Sequence, residues 1–339
     1  MKQPIAIIST DWHLKRDNID AIKDLIDQQC QLAKKESVEY LICLGDVFDS
    51  RKAQELTVLT AFREILNNIQ SYNLKMLTIS GNHDKSDYTS YNSYLDSFAF
   101  HPAMVYFRGY NQYSIGDVKL HFMPFFDESV WKERLNYTLS DKKNILLTHI
   151  AVTGSKNNDG TLQETPVKVS DFKDFDLVLS GHFHDRQIIG KNFIHAQSIQ
   201  QNNYGEDNKK GFSILYNDCT ISFVKSKFKE YKRYTFDIDK STKKELDELI
   251  KEHSNSDNNI RVEVVGSQSK LNSLKREVFA NNGIDLKTKN KEVSEAIEAT
   301  ITDEVVEFNP EKIKEKFGQF CEEKEHDYDK GIVYLNKMI

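Results

Sequence analysis

The feature that most constrains the fold of this 339-residue chain is a repeated pairing of a short apolar run with a polar turn. Each run has about the length of a buried strand. The runs are residues 5–8, 40–44, 76–79, 118–123, 145–147 and 177–179. Between the early runs, residues 18–35 and 56–69 carry apolar side chains close to helical spacing. Alternation of strand and helix favours parallel strands with helices packed over a sheet.

The second half of this region has a different pattern, with strands separated by short turns. Residues 193–195, 212–216 and 220–224 are predicted strands of this kind, and short turns favour antiparallel pairing. We therefore expect an α/β fold in which two sheets stack face to face, with helices on the outside.

The turns after five of the predicted strands are rich in aspartate, asparagine and histidine. They contain Asp11-Trp12-His13, Gly45-Asp46-Val47-Phe48-Asp49, Gly81-Asn82-His83-Asp84, Thr148-His149 and Gly181-His182-Phe183-His184. In open α/β sheets, ligands bind beyond the carboxyl ends of the strands. Five segments that deliver such side chains to one sheet edge predict a metal site.

The residue types in these turns suit two divalent ions. Imidazole and carboxylate together favour Mn, Fe or Zn over Ca, and an aspartate can bridge two ions through its two oxygens. Two ions bind the oxygens of a phosphodiester and acidify a water that attacks the phosphorus. Gly45, Gly81 and Gly181 lie where the chain must turn sharply and approach the ions closely.

The five elements resemble the calcineurin-like metallophosphoesterase superfamily. The resemblance implies one metal bound by Asp11, His13, Asp46 and His184, and a second metal bound by Asp46, Asn82, His149 and His182. It also implies that His83 is the catalytic histidine, which protonates the leaving alkoxide. Asp84 would then orient His83 through a hydrogen bond. Asp49 would contact a metal ligand on the side away from the metal and change the basicity of that ligand.

Within that superfamily, residues 5–230 look most like the SbcD-type DNA-repair nucleases. The resemblance rests on Asp46-Val47-Phe48-Asp49, on Asp84, on residues 122–125 and on residues 197–212, which include Glu206 and Lys210. Two residues depart from the family pattern, since Gln197 stands where the family usually has glycine and Lys15 follows Leu14 where glycine is common. The resemblance implies a Mn²⁺-dependent exonuclease or endonuclease, with Mg, Fe and Zn left open. It also implies a homodimer that forms a heterotetramer with an SMC-like ABC ATPase of SbcC type.

The composition of the chain changes near Tyr234, and this change predicts three parts. Residues 1–232 form the nuclease domain. Residues 233–304 form a small α+β capping domain, with a charged helix within 240–256, strands at 260–265 and 284–286, and a helix at 270–280. Residues 305–339 form a C-terminal helical segment that binds the ATPase partner; packing of this helix on its own core is an equal alternative.

Basic residues that follow the metal turns are predicted DNA contacts, since phosphates must pass there. They are Lys15, Arg16, Arg51, Lys52, Lys85 and Arg186. For each one, the alternative is an ordinary solvated charge. The net charge of -6 excludes a strongly basic DNA-coating protein, whereas bound metal ions and a local basic face are compatible with a DNA enzyme.

Other classes of protein are less compatible with the sequence. No apolar run approaches the roughly 18 residues of a membrane span, and the first residues lack a secretory signal pattern, so we expect a cytoplasmic protein. The four cysteines show no paired spacing for zinc or disulfides. Two alternatives remain open, namely a phosphodiesterase for a small molecule and a non-catalytic scaffold that binds DNA ends.

Overall fold

The computed structural model describes residues 2–157 and 160–291, together with nine residues near the C-terminus. These nine are helical, and they are Lys314, Glu315, Phe317, Gly318, Phe320, Cys321, Tyr328, Gly331 and Ile332. The rest of the predicted partner-binding segment, and residues 292–304 of the predicted capping domain, lie outside the described residues.

The described residues form strands that we number in chain order. They are β1 (Pro4–Ser9), β2 (Tyr40–Cys43), β3 (Lys75–Ile79), β4 (Met104–Phe107), β5 (Asn111–Ile115), β6 (Val118–Met123), β7 (Lys143–His149), β8 (Leu177–Gly181), β9 (Gln187–Ile189), β10 (Phe193–His195), β11 (Gly211–Tyr216), β12 (Ile221–Lys225), β13 (Tyr231–Asp237), β14 (Asn259–Gly266) and β15 (Ile284–Asn290). The helices are α1 (Ile19–Glu36), α2 (Leu56–Ser71), α3 (Glu128–Arg134), α4 (Lys243–His253), α5 (Gln268–Asn272) and α6 (Arg276–Asn281).

Two six-stranded mixed sheets form the main body of the fold. The first has the order β12-β11-β1-β2-β3-β4, and the second has the order β5-β6-β7-β8-β10-β9. β1 to β4 are parallel to one another, as are β6, β7, β8 and β10. β11 and β12 pair antiparallel at one edge of the first sheet. The predicted α/β sandwich of two sheets with flanking helices is confirmed.

Alternation along the strands divides the apolar residues between three cores. Ile7 of β1 packs under α1 and α2 with Ile22 and Phe62, whereas its neighbour Ile8 lies between the sheets with Phe122. The outer face of the second sheet packs against Trp131 of α3 and other apolar side chains. The core between the two sheets fixes the position of one sheet against the other, and this brings the turns at the ends of their strands together.

The helices over the first sheet follow directly from the sequence pattern. In α1, Ile22, Leu25, Ile26 and Cys30 fall on one face and are fully or nearly fully buried. The helix ends at Ser37, whose φ of 56° is left-handed, a common way for a helix to stop. Both early helices lie within two residues of their predicted bounds.

The chain divides into two compact units. The first consists of Met1–Tyr234, Asp247–Val262 and Arg276–Leu286, and the second of Thr235–Leu246, Glu263–Lys275 and Lys287–Ile339. In the second unit, the largely buried Glu263 carboxylate lies 3.2 Å from the Lys289 ammonium. No helix in the described ranges has both the length and the apolar character needed to traverse a bilayer.

The third sheet, of order β13-β14-β15, belongs to the region where a small α+β domain was predicted. Both predicted strands are present, although each is longer than expected. The single predicted helix at 270–280 is wrong, because α5 and α6 are separate. The Ser273 hydroxyl donates to the carbonyl of Lys270 at 2.6 Å. A side chain that bonds to the backbone in this way competes with helix continuation.

Candidate metal centre

Four of the predicted metal ligands have a left-handed backbone. Their φ angles are 52° at Asp11, 47° at His13, 52° at Asp46 and 90° at His182. Non-glycine residues rarely adopt such angles and persist there only where the surroundings hold them. Part of that support comes from neighbouring turns, since the Asp11 amide donates to the carbonyl of Gly45 at 3.0 Å and the His13 amide to the carbonyl of Asp46 at 3.1 Å.

Two glycines allow these turns to lie against one another. A Cβ at Gly81 would meet the carboxylate and the backbone nitrogen of Asp46, and one at Gly181 would meet the Thr10 hydroxyl and the His149 ring. Side chains at these positions are therefore excluded by space. The close packing of turns from both sheets depends on glycine, as the sequence predicted for these positions.

The first group of predicted ligands contains Asp11, His13 and His184. The Nε2 atoms of His13 and His184 lie 2.9 Å apart. The nearest Asp11 oxygen is 3.9 Å from the His13 Nε2 and 4.0 Å from the His184 Nε2. Donor atoms from β1 and β8 turns, 171 positions apart in the chain, thus converge on one small volume.

The second group contains Asn82, His149 and His182. The Asn82 Oδ1 lies 2.9 Å from the His182 Nδ1 and 3.1 Å from the His149 Nε2. Asp46 lies between the two groups, because its Oδ2 is 3.4 Å from the His149 Nε2 and 3.9 Å from the His13 Nε2. This is the position that a bridging carboxylate requires.

The electrostatics of the site favour positive charge. Although burial opposes a charge on the His149 ring, the Asp46 carboxylate raises the pKa of His149 to about 9. Burial also opposes ionisation of Asp46, yet the neighbouring His149 and His13 hold its pKa well below the ordinary value. Burial and the nearby His149 lower the pKa of His182 to about 3. An ionised carboxylate therefore lies beside a ring that carries positive charge, in a place that a bound cation would occupy.

These contacts fit bound cations better than a purely structural cluster. His149 Nδ1 lies 2.8 Å from the carbonyl of Leu44, which only accepts, so Nδ1 carries a proton, and Nε2, whose proton a bound cation would replace, faces the Asn82 oxygen. Lone pairs that converge at such distances repel one another unless a proton or a cation lies between them. Three groups of side chains each bring one possible ligand atom per residue within 4.8 Å of the others in the group. The groups are Asp11, His13 and His184; His13, Asp46 and His83; and Asp11, Asp46 and His149. The residues present therefore fit divalent ions.

His83 lies beside both groups. Its backbone amide donates to Asp46 Oδ1 at 2.8 Å, and its ring contacts the His13 ring edge to face, with centroids 4.7 Å apart. Its Nδ1 donates to the carbonyl of Asp49 at 2.6 Å, and its Nε2 accepts from the Arg51 guanidinium at 2.8 Å. Burial lowers the pKa of His83, and these partners are those of a neutral ring.

In the described structure, Asp84 does not form the expected hydrogen bond to His83. The buried Asp84 carboxylate accepts from the backbone amides of Phe48 at 3.0 Å and Gly81 at 2.9 Å. Burial and the charge of Asp46 raise the pKa of Asp84 to about 7. Asp84 thus fastens the turns that carry Asp46 and Asn82 to each other, and the backbone of Asp49 orients His83.

A family model described as calcineurin-like phosphoesterase matches residues 4–186. The chain belongs to the calcineurin-like phosphoesterase family. The match includes the turns that carry Asp11, Asp46, Asn82, His149 and His184. Proteins of this family are metal-dependent hydrolases, and the donor groups described above lie within the matched residues.

Curated relatives of this metallophosphoesterase carry a more specific name. It is 25% identical over 248 residues to the D component of the nuclease SbcCD from Staphylococcus epidermidis, a match that covers 61% of the chain and 64% of the relative. It is 26% identical over 250 residues to the same component from Staphylococcus saprophyticus, with coverages of 62% and 64%. The chain thus spans about 64% of the length of these relatives.

A solved structure of a dimetal phosphatase from Danio rerio is also similar. It is 10% identical, covers 63% of this chain and 93% of that protein, and has a TM-score of 0.43. Similarity at this level carries no argument about what this metallophosphoesterase does.

Most of the predicted DNA contacts of the metallophosphoesterase are accessible. Arg16, Arg51, Lys52 and Arg186 are exposed. Lys15 is 43% exposed and lies 3.7 Å from the carboxylate of Asp49. These five stay predicted contacts.

Lys85 is different, and its assignment as a DNA contact is wrong. Its side chain is 0% exposed. Its ammonium donates to the carbonyls of Ser90 at 3.0 Å and Phe125 at 2.7 Å, and it lies 3.8 Å from the centre of the Phe126 ring. Lys85 therefore fastens the loop that follows His83 and does not face the solvent.

Two buried residues behind His184 were not predicted as site residues. Glu206 Oε1 lies 2.8 Å from the His184 Nδ1, and the Lys210 ammonium lies 3.0 Å from Glu206 Oε2. Both side chains are 0% exposed. The sequence carried a signal, since the segment with Glu206 and Lys210 belongs to the resemblance with SbcD-type nucleases, but nothing in it linked these residues to His184.

Proposed function

We propose that this metallophosphoesterase is a Mn²⁺-dependent DNA nuclease that cleaves phosphodiester bonds as an exonuclease, an endonuclease or both. The observation that carries the proposal is the position of the Asp46 carboxylate between two groups of donor atoms, with His83 beside it. A carboxylate in this position can bridge a pair of divalent ions, and two ions at such a spacing stabilise the attacking and leaving oxygens in phosphoester hydrolysis.

The proposed ligands are Asp11, His13, Asp46 and His184 for one ion, and Asp46, Asn82, His149 and His182 for the other. Bound there, the ions supply charge neutralisation at the phosphate and make water a stronger acid. The protein contributes the fixed positions of the ligands, which are held by strained turns and by close packing at glycine.

His83 and Arg51 act on the substrate side of this proposal. His83 Nε2 delivers a proton to the leaving alkoxide. Because Nε2 accepts from Arg51 in the described structure, this role requires that Arg51 turn towards the substrate phosphate and that the ring gain a proton. A guanidinium suits a phosphate well, since it offers paired donors of fixed geometry.

DNA is favoured over a small phosphodiester by the exposed basic residues near the site turns and by the names of the curated relatives. On the same basis we propose a cytoplasmic nuclease component of an SbcCD-like complex in DNA repair, recombination and replication. Its partner is an SMC-like ABC ATPase, with which a homodimer of this chain forms a heterotetramer. The three-part division at residues 232 and 304 belongs to this proposal.

The test is cleavage of linear and single-stranded DNA with Mn²⁺, with and without the ATPase, alongside a chromogenic phosphodiester. His83→Asn should reduce DNA cleavage by about 10²- to 10⁴-fold, the usual contribution of a positioned acid, while Mn²⁺ binding stays within about twofold. His101→Asn is the matched control, because His101 precedes β4 and bonds to Asn67, at the amino-terminal edge of the sheet.

The alternatives give different results. A small-molecule phosphodiesterase would cleave the chromogenic substrate and leave both DNA substrates intact. A non-catalytic scaffold would bind DNA ends and cleave neither substrate. Equal cleavage by the wild type and His83→Asn would contradict the assignment of His83.

A further inference from the structure

The two groups of metal donors differ in what lies behind their histidines. In proteins, the nitrogen of a ligating imidazole that faces away from the metal usually donates to another group, and that group sets the ring orientation and its basicity. A carboxylate in this place makes the imidazole a stronger ligand than a neutral carbonyl does. The arrangement of these partners therefore bears on how tightly each position holds an ion.

His184 has a carboxylate directly behind it. The Glu206 Oε1 lies 2.8 Å from the His184 Nδ1 and also accepts from the Asn203 side-chain amide at 3.0 Å. The Glu206 Oε2 accepts from the backbone amide of Asn202 at 3.2 Å. The carboxylate is thus fixed by several donors, and it holds the His184 proton on Nδ1, which leaves the Nε2 lone pair facing His13.

Lys210 fixes the same turn from a second direction. Its buried ammonium lies 3.0 Å from Glu206 Oε2 and donates to the carbonyl of His184 at 2.7 Å. It also pairs with the carboxylate of Asp185. A buried lysine needs compensating partners, and here all three lie on Glu206 or on the turn of His184.

Among the residues that the structure describes, no carboxylate is hydrogen-bonded behind the histidines of the other group. The rear nitrogen of His149 faces the neutral carbonyl of Leu44, and Asn82 supplies a neutral amide oxygen where the first group has the carboxylate of Asp11. His13 of the first group also has a carboxylate behind it, since its Nδ1 lies 3.5 Å from Asp49 Oδ1. Negative charge is therefore concentrated around the first position.

We propose that Glu206, held by Lys210, is a positioning residue that makes the Asp11–His13–His184 position the tighter of the two metal positions. The ion at the Asn82–His149–His182 position is then the one that exchanges readily. This inference rests on the two-metal site of the proposed function, and it adds an order of filling and the residues that set it.

The first test is a titration of the metal-free 339-residue chain with Mn²⁺ by calorimetry and electron paramagnetic resonance. The wild type should show two binding classes, with a mononuclear spectrum up to one equivalent and a spin-coupled spectrum only beyond it. Glu206→Gln should weaken the tight class by about 10- to 100-fold, the usual cost of losing such a partner. It should leave the weak class within about threefold, so the coupled spectrum appears before one equivalent.

The matched control is Glu263→Gln. Glu263 is also a largely buried glutamate near lysines, with Lys289 at 3.2 Å, but it belongs to the second compact unit. This variant should bind Mn²⁺ as the wild type does. The inference is overturned if the wild type shows two equal sites, if Glu206→Gln keeps the tight class, or if both variants weaken it equally.

A second variant covers the case in which Glu206→Gln leaves Lys210 inadequately paired and fails to fold. Glu206→Gln combined with Lys210→Met removes both buried charges, and it should lose the tight class in the same way. Nitrogen-15 spectra of the metal-free wild type give an independent readout that needs no variant. They should show a proton on the His184 Nδ1, and a neutral ring with its proton on Nε2 alone would overturn the inference.

The experiments distinguish a failure of this inference from a failure of the proposed function. A chain that binds two Mn²⁺ ions in two classes but cleaves no DNA would refute the nuclease and leave the role of Glu206 intact. A nuclease with two equal metal sites would do the reverse.

Discussion

Gly81→Ala is the substitution that most sharply tests how the site is built. Gly81 follows β3, and its amide donates to Asp84 Oδ2 at 2.9 Å, so its backbone is held in place. An added Cβ would meet both the carboxylate and the backbone nitrogen of Asp46. Since the backbone nitrogen cannot rotate away, the turn that carries Asp46 must shift, and the proposed bridging carboxylate moves with it.

The size of the effect follows from two terms. Overpacking of this kind costs about 1–3 kcal/mol of folding stability. Mn²⁺ at 100 times its Kd stabilises the wild type by about 2.7 kcal/mol. For a domain of this size, 1 kcal/mol corresponds to about 2–4 °C in Tm. The wild type should therefore gain about 5–10 °C with Mn²⁺, and Gly81→Ala should lose most of that gain in addition to melting earlier without metal.

The assay is thermal unfolding of metal-free protein with and without added Mn²⁺. Gly116→Ala is the control, because a Cβ there meets no atom within 4 Å while its φ of +54° is unfavourable for alanine. That strain costs about 1–2 kcal/mol, so the control should melt earlier and still gain fully from Mn²⁺. If Gly81→Ala keeps the full Mn²⁺-induced rise, the close approach of Gly81 to Asp46 is irrelevant to metal binding.

Two further predictions concern the basic residues. Burial and the nearby Arg134 lower the pKa of Lys85 from 10.5 to about 7, so between these values the unfolded chain binds more protons than the folded one, and stability rises with pH. Lys85→Met should remove this pH dependence of the free energy of unfolding. Urea unfolding of both proteins at pH 7 and pH 9 measures it, and a difference in free energy of unfolding between variant and wild type that is the same at both pH values would contradict the prediction. Arg51→Met should weaken DNA binding and reduce the salt dependence of log K by about one unit, whereas Lys85→Met should leave that slope unchanged. Binding isotherms over a salt series decide this, and equal slopes for Arg51→Met and wild type would remove Arg51 from the phosphate contacts.

The sequence predicted those parts of the fold that depend on local pattern. The buried strands β1, β2, β3, β7 and β8 each contain a short run of mostly apolar residues, and β6 alternates apolar residues with Lys119 and His121. The helices α1 and α2 have a clear apolar face, so the residues of these elements alone indicate their structure. The edge strands β5 and β9 were missed, because half-exposed residues such as Gln112 and Gln187 give no apolar run. β4 was missed as well, although Met104–Phe107 is as continuous an apolar run as those of the predicted strands and both of its end residues are buried, so the sequence did carry its signal.

The candidate site shows the same division between local and distant information. Side chains that follow strands were predicted together, because the carboxyl ends of parallel strands share an edge. The partners of those side chains were not predictable, since they depend on which loop folds over which turn. Glu206 meets His184 from 22 positions away. Lys85 is buried because a loop closes over it, and no local property separates it from the exposed Lys52.

The central claim is that Asp46 lies between two divalent ions. Diffraction from crystals grown with manganese, measured for the anomalous signal of that element, tests it most directly. We expect two anomalous peaks about 3.5–4 Å apart, one against Asp11, His13 and His184 and the other against Asn82, His149 and His182, with Asp46 touching both. A map with no peak at Asp46, or with manganese held by other residues, would contradict it.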